Sequence, residues 1–247
     1  MRYGETGYYL EVDLSCNSIE KVETDPNDTR LYLGGLGTNA KILWEKVGPE
    51  VEAFSPENLI LFGPGLFVGT PAVGANRTII SSISPQTGLL AFSMMGGFWG
   101  PELKYSGFDK VIVKGKAQDL VYLWIHDGTA EIRDARHLRG MSTYETMAAI
   151  KKELKDPKAQ VLAIGLAGEN RVYFASVEAS KSSSSRLGLG AVMGAKNLKA
   201  VVASGRGDIP IAHPEEFFSF SNTVLQKIKE RFQNPIKGVQ PINAYFG

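Results

Sequence analysis

Arg186-Leu187-Gly188-Leu189-Gly190-Ala191-Val192-Met193-Gly194-Ala195-Lys196-Asn197-Leu198-Lys199-Ala200-Val201 is the stretch on which the fold turns. Its glycines imitate the fingerprint of a dinucleotide-binding strand–helix–strand unit. That fingerprint needs G-x-G-x-x-G, a full helix behind it and an acidic residue about 20 positions on. Here the third glycine comes one residue late, and the apolar run Lys199–Ala203 follows after only a few residues. No crossover helix fits, so a doubly wound parallel sheet is set aside. No phosphate-binding P-loop sequence is present either.

Working outward, the chain reads mostly as short strands. Tyr8–Leu14 and Ile19–Glu23 alternate around an Asn17-Ser18 turn, as a hairpin does. Two short helices are expected near Asp28–Leu33 and Asn39–Val47, separated by Gly34-Gly35-Leu36-Gly37, with Thr38 or Asn39 as the second cap. Further strands are expected at Leu59–Phe62, Thr78–Ile83, Leu89–Ser93, Lys110–Lys114, Leu120–His126, Thr129–Arg133, Gln160–Ile164, Arg171–Val177 and Lys199–Ala203. Asp127-Gly128 is a hairpin turn signal. Ser142 and Glu145 form a capping box that opens a helix closed by Asp156-Pro157. The expected class is α+β: two β-sheets with a few helices, followed by the start of a helical domain.

At Gly205–Ile211 the texture changes. His213-Pro214-Glu215-Glu216 begins an amphipathic helix that Asn234-Pro235 stops. Residues 1–208 are therefore read as one domain and 209–247 as the start of a second. The sequence ends at Tyr245-Phe246-Gly247 with no closing element, which is read as a cut inside that second domain.

Composition narrows the function. The formal net charge is +1 over 247 residues, without a basic stripe, which argues against nucleic-acid binding. No stretch reaches the roughly 18 apolar residues of a membrane span. The N-terminus lacks the apolar core of a signal peptide, so the cytoplasm is the expected location. Cys16 is the single cysteine and alone holds neither a zinc ion nor an iron–sulfur cluster. His126, His137 and His213 have no metal-ligand spacing and read as surface or strand-end residues.

Three loops rich in small residues carry what chemistry there is: Gly74-Ala75-Asn76-Arg77, Ser93 to Gly100, and Ser180 to Gly188. Each offers main-chain N–H groups free of bulky neighbours, and two carry an arginine. That equipment suits an anionic, phosphate-bearing ligand. The plain alternative is that they are ordinary strand connections.

The order SPENL (Ser55–Leu59), GANRT (Gly74–Thr78), SPQTG (Ser84–Gly88), GGFWGPELKYSGFD (Gly96–Asp109), GENRV (Gly168–Val172) and RLGLGAVMGAKNLKAV (Arg186–Val201) resembles the N-terminal domain of aldehyde:ferredoxin oxidoreductases, from about Tyr8 to Glu216. Within that family, GETGYYLEVDL, GGLGTNAKILWEKV and SPQTGLLAFSMMGGFW look most like the catalytic subunit of class II, tungsten-type benzoyl-coenzyme A reductases. The resemblance implies a two-sheet base carrying a tungsten bis-pterin cofactor whose phosphates are bridged by magnesium. It implies that Arg77 contacts a pterin or its phosphate, that Gly96 approaches the cofactor, and that the main-chain carbonyls of Met94 and Ser183 hold the magnesium. Met95, Gly97, Ser182, Ser185 and Arg186 complete the implied cofactor set. Ser182 stands where aldehyde oxidoreductases have an arginine, which puts one charged phosphate contact in doubt. A 4Fe–4S cluster is implied only through residues beyond this chain. So are a benzoyl-CoA or aldehyde substrate, an iron–sulfur electron-transfer subunit or ferredoxin as partner, and an oligomer. Aldehyde oxidation and a non-catalytic pterin-binding or assembly module stand as the alternatives, and tungsten is not separated from molybdenum.

Overall fold

Alternating apolar residues with turn chemistry between them produce strands that pair locally, and the chain does so twice. The computed structural model describes residues 2–180 and 182–233. Lys181 of the serine loop, the Asn234-Pro235 stop and the Tyr245-Phe246-Gly247 end lie outside the described residues. The first half runs β1 (Tyr8–Asp13), β2 (Ser18–Glu23), α1 (Pro26–Tyr32), α2 (Gly35–Lys46), β3 (Ile60–Pro64), β4 (Thr78–Ile83), β5 (Leu90–Met95), α3 (Trp99–Tyr105) and β6 (Val111–Lys114). The second runs β7 (Val121–His126), β8 (Thr129–Asp134), α4 (Thr143–Leu154), β9 (Gln160–Ala163), α5 (Leu166–Glu169), β10 (Val177–Ala179), β11 (Ser182–Ser184), α6 (Leu189–Ala195) and β12 (Leu198–Ser204). α7 (Pro214–Gln233) follows.

Sheet 1 has the order β2-β1-β6-β3-β4-β5, and sheet 2 has β8-β7-β12-β9-β10-β11. In each, the first strand of the opening hairpin pairs parallel with the last strand of the half, β1 with β6 and β7 with β12. Every other pairing is antiparallel. The two halves thus share one connectivity. The class is α+β, as expected.

The main core lies between the sheets. It joins Leu10, Val12, Phe62 and Ile80 of sheet 1 to Leu123, Leu162 and Val201 of sheet 2 through Trp99, Leu103, Val192 and Met193 of the two intervening helices. α3 lies against β12 and β9 of the other half, and α6 against β3 and β4. Trp99 Nε1 fixes this exchange by donating to the Val201 carbonyl at 2.9 Å. α4 covers the outer face of sheet 2 through Met147 and Ile150. α2 covers sheet 1 through Ile42 and Leu43.

Buried lysines tie loops to this frame. Lys104 Nζ donates to the carbonyls of Gly4 (2.6 Å) and Leu66 (2.7 Å), Lys110 Nζ to Thr38 Oγ1 (2.7 Å), and Lys196 Nζ to the carbonyls of Pro56 and Gly115 (3.2 and 3.1 Å). Removal from water disfavours their charged form and pushes each pKa down to about 8.

Several expectations are corrected. α2 starts at Gly35, not after the glycines, because Gly34 caps it from a left-handed φ of 79° and no side chain caps it. The glycines are there for close approach: a Cβ on Gly37 would overlap the Tyr32 carbonyl. The strand expected at Arg171–Val177 is instead a turn, with α5 before it and β10 only at Val177–Ala179. The serine run is a strand, not a loop, and Trp99–Tyr105 is a helix inside what reads as a glycine-rich loop. Among the described residues no helix is long and apolar enough to cross a membrane.

Candidate functional site

The glycine- and serine-bearing segments lie where the free edges of the two sheets approach each other. β5 is the edge of sheet 1 and β11 the edge of sheet 2. Along β5, Ala91, Ser93 and Met95 point into the core, while Leu90, Phe92 and Met94 face outward. The strand then breaks at Gly96 and Gly97. Gly97 sits at φ +94°, a region L-residues avoid, with nothing within 4 Å of where a side chain would stand.

The Gly96 N–H donates to Ser182 Oγ at 2.9 Å, across 86 positions of sequence. Arg77 and Asn76 arrive at the same place from the residues just before β4. A Cβ on Gly96 would lie 3.7 Å from Arg77 Nη1 and 3.8 Å from the Asn76 amide atoms. Both side chains are exposed, and among the described residues neither makes a hydrogen bond or ion pair. The structure therefore gathers Arg77, Gly96 and Ser182, and adds Asn76, which the sequence reading passed over. An asparagine beside the arginine, two residues after the left-handed Gly74 (φ +77°), is the signal that was available.

The remaining candidates divide. Met94 is 53% exposed at the lip of the site. Met95 is fully buried in the core, so only its backbone is within reach of a ligand. Ser183 is half-buried in β11, opposite Glu178 of β10. Ser184 turns inward with a buried hydroxyl that has no hydrogen-bond partner among the described residues. Ser185 and Arg186 are exposed beyond the strand.

The shared connectivity relates these positions. One displacement in sequence carries Trp99 onto Leu189, the left-handed Gly107 (φ 98°) onto the left-handed Asn197 (φ 57°), and Val111 onto Val201. Stepping across the sheets, Val111 pairs with Phe62 and Val201 with Leu162. The next residues, Gly63 and Ala163, pair with Ile79 and Glu178, which pair in turn with Met94 and Ser183. Met94 and Ser183 thus hold equivalent places in the two halves, and Arg77 corresponds to Ser176.

Chemically, this surface can receive an oxyanion. It offers a guanidinium and an amide without partners among the described residues, and a hydroxyl whose proton is left to give, around a glycine that leaves room for approach. A cavity of about 650 Å³ lies elsewhere, between α7 and the base, lined by Tyr3, Phe67, His213, Phe217 and Phe220 among others. It has neither lysine nor arginine in its walls. Among the described residues no group of three or more His, Cys, Asp or Glu side chains is placed to hold a metal ion.

Comparison with known proteins places this architecture. Residues 9–205 match the family model described as aldehyde ferredoxin oxidoreductase, N-terminal domain. The chain is 37% identical over 237 residues to the tungsten-containing aldehyde ferredoxin oxidoreductase of Pyrococcus furiosus, covering 96% of this chain and 39% of that protein. It is 36% identical over 231 residues to the WOR-like subunit of an aliphatic sulfonate oxidoreductase of the same organism, covering 87% of this chain and 36% of the relative. Among solved structures it matches the active site complex BamBC of benzoyl coenzyme A reductase in complex with 1,5-dienoyl-CoA. There the TM-score is 0.95 and the identity 64%, over 98% of this chain and 37% of that one. The chain spans about two-fifths of the length of these relatives.

Proposed function

The chain belongs to the aldehyde ferredoxin oxidoreductase family, and from that membership we propose that it forms the tungstopterin-cradling base of an enzyme reducing the aromatic ring of benzoyl-CoA to a cyclic dienoyl-CoA. The carrying observation is the meeting of Gly96 with Ser182 at the joined sheet edges, beside Met94 and Ser183 at equivalent places in two like half-domains. A ligand with two similar arms is what such a paired edge suits. The benzoyl-CoA reading is favoured over aldehyde oxidation by the 64% identity to the benzoyl-CoA reductase chain, against 37% to the aldehyde enzyme, at like coverage.

When bound, the cofactor supplies low-potential electron transfer at its metal; the protein supplies position and electrostatics. Arg77 would hold a phosphate by its guanidinium fork, and Gly96 would let the backbone come close. The Met94 and Ser183 carbonyls would hold a magnesium ion, which prefers oxygen donors. Met95 and Gly97 would contribute backbone, and Ser185 and Arg186 would flank the second arm. Cys16 alone holds no four-iron cluster, so a 4Fe–4S cluster would use residues outside this sequence. The electron donor would be an iron–sulfur subunit or ferredoxin, in a cytoplasmic oligomer. Residues 1–208 would be the cradling domain, and α7 would open the next. Phe218 and Leu225, seven residues apart on one side of α7, are 50% and 37% exposed, and the next domain would cover that side.

The test is the full-length protein purified without oxygen. Tungsten, magnesium and pterin content are measured, and turnover is assayed with dienoyl-CoA and with aldehydes. Two pterins per tungsten and turnover of the CoA ester are expected. Aldehyde oxidation without CoA-ester turnover would transfer the reading to the aldehyde enzymes. A pterin-loaded protein turning over neither substrate would leave the binding or assembly module.

A further inference from the structure

Asn76 lies outside the family reading of the site, yet it stands as close to Gly96 as Arg77 does. Its amide is exposed and makes no hydrogen bond among the described residues. Ser182 Oγ already accepts from the Gly96 N–H, so its own proton is the part left to give. Three donors of different chemistry, a guanidinium, an amide N–H and a hydroxyl, therefore surround one glycine that carries no side chain. We infer that Asn76, Arg77 and Ser182 act as a single donor set for one terminal phosphate of the pterin cofactor, with Asn76 and Ser182 supplying as neutral donors what a second cation would supply.

The inference rests on the tungstopterin reading and deepens it. A dianionic phosphate presents more acceptor sites than one guanidinium satisfies. A second cation at position 76 would stand beside Arg77 and repel it before the ligand arrives. An amide adds a donor without that cost, and its oxygen can turn away. A carboxylate of the same shape would do the reverse, which makes the aspartate variant the sharp probe.

The experiment uses the full-length protein purified without oxygen, with Asn76→Ala, Asn76→Asp, Ser182→Ala and Ser182→Thr. Pterin is quantified by fluorescence after oxidative release and tungsten by mass spectrometry. The melting temperature of each cofactor-free form is recorded. Loss of a hydrogen bond to a charged group should lower retention about tenfold in Asn76→Ala and Ser182→Ala. Asn76→Asp should fall further, and Ser182→Thr should recover most of the loss. Melting temperatures of the cofactor-free Asn76 variants should stay with the wild type, because that side chain lies at the surface, whereas Ser182→Ala also gives up the bond from the Gly96 N–H and should melt lower. Wild-type pterin content in Asn76→Asp would overturn the inference, as would an Asn76→Ala melting temperature that falls in step with pterin loss. Absence of pterin from the wild type would instead overturn the reading beneath it.

Discussion

The first half of the sandwich, β1 to β6, and the second, β7 to β12, share one strand order but stabilise it by opposite means. α4 is self-sufficient at its start: Ser142 accepts from the Glu145 N–H, and Glu145 returns to the Ser142 N–H. Its counterpart α2 begins at two glycines with no side-chain cap. Asp109 in the first half gathers the backbone N–H groups of Thr6 and Gly7 at 2.9 and 2.8 Å. At the corresponding place the second half has Lys199, which donates to the Met141 carbonyl at 2.9 Å and pairs with Glu169. A carboxylate and an ammonium thus do the same job, each anchoring an incoming segment to the last strand. Beside the edge strands, Arg77 and Ile79 in one half correspond to Ser176 and Glu178 in the other. Topology is duplicated while side-chain chemistry is not, so the frame is repeated and the proposed binding surface is polarised toward one half.

The comparison is most exposed at two glycines. Gly100 and Gly190 are each the second residue of a between-sheet helix. A Cβ on Gly100 would run into Thr78 Oγ1, and one on Gly190 into the Ser176 carbonyl oxygen. Backbone cannot step aside and a hydroxyl can. Gly190→Ala should cost about 3 kcal/mol or more and Gly100→Ala about 1–2 kcal/mol, read from denaturant midpoints of the cofactor-free protein. Equal costs would break the pairing of the two helices.

Next in size is the polarity of the edge. Arg77→Ala should lower tungsten and pterin content about tenfold or more, while Ser176→Ala, at the matching place, should leave most of it. Arg77 is exposed, so stability of the cofactor-free form should move by no more than about 0.5 kcal/mol. Equal losses from both variants would mean that the halves bind alike.

Much of this frame is legible in the sequence, and the gaps have physical causes. Alternation marks the β1–β2 hairpin, apolar runs bounded by turn residues mark β4 and β7, the Asp127-Gly128 turn marks β8, and the Ser142–Glu145 box marks α4, because these signals are local. α3 and α6 are hidden: each is seven residues long and glycine-bearing, and packing between the sheets, not propensity, makes it helical. β11 is a run of serines that only pairing with β10 turns into a strand. Of the site, Arg77, Gly96 and Ser182 come from motif resemblance. Asn76 has a local signal in its place beside Arg77, but its nearness to Gly96, 20 positions on, follows only from the pairing of β4 with β5. The repeat itself is not visible in the letters, because connectivity persists where residue identities have diverged.

A smaller effect tests the buried lysines, which differ between halves: Lys104 and Lys110 fall opposite Gly194 and Ala200. For Lys104, Lys110 and Lys196 the folded pKa, about 8, lies below the unfolded value of 10.5. Between these values the unfolded chain binds more protons, so stability should rise with pH from about 8 toward 10. The slope is bounded by about 1.4 kcal/mol per pH unit for each lysine. Tyr9 and Tyr122 act oppositely. Burial, then Glu11 and Glu153 respectively, raises them from 10.0 to about 12, so stability should fall above pH 10. Lys110→Met should flatten the rising limb in a urea series, and an unchanged limb would remove Lys110 from the account.

Smallest is the strain at Leu187, held left-handed at φ 65° beside the equally left-handed Gly188. Leu187→Gly should stabilise by no more than about 0.5 kcal/mol, strain relief of roughly 1 kcal/mol being partly offset by the freedom glycine gains when unfolded. Asn197, also left-handed, donates from its side chain to the Ala117 carbonyl at 2.7 Å, so Asn197→Gly should lose stability instead. A gain in both would show that local backbone strain outweighs that side-chain tie.

The edges of the two sheets have a bearing on how the protein is made and handled. The outer edges are guarded against stray pairing: β2 reads Ser-Ile-Glu-Lys-Val-Glu and β8 Thr-Ala-Glu-Ile-Arg-Asp, charged along their length. β5 reads Leu-Ala-Phe-Ser-Met-Met and turns Leu90, Phe92 and Met94 outward with no charge among them. An unguarded apolar edge invites a strand from a second molecule. The side of the fold proposed to hold the cofactor is thus also the side with an uncharged apolar edge, so cofactor-free protein should aggregate more readily than loaded protein.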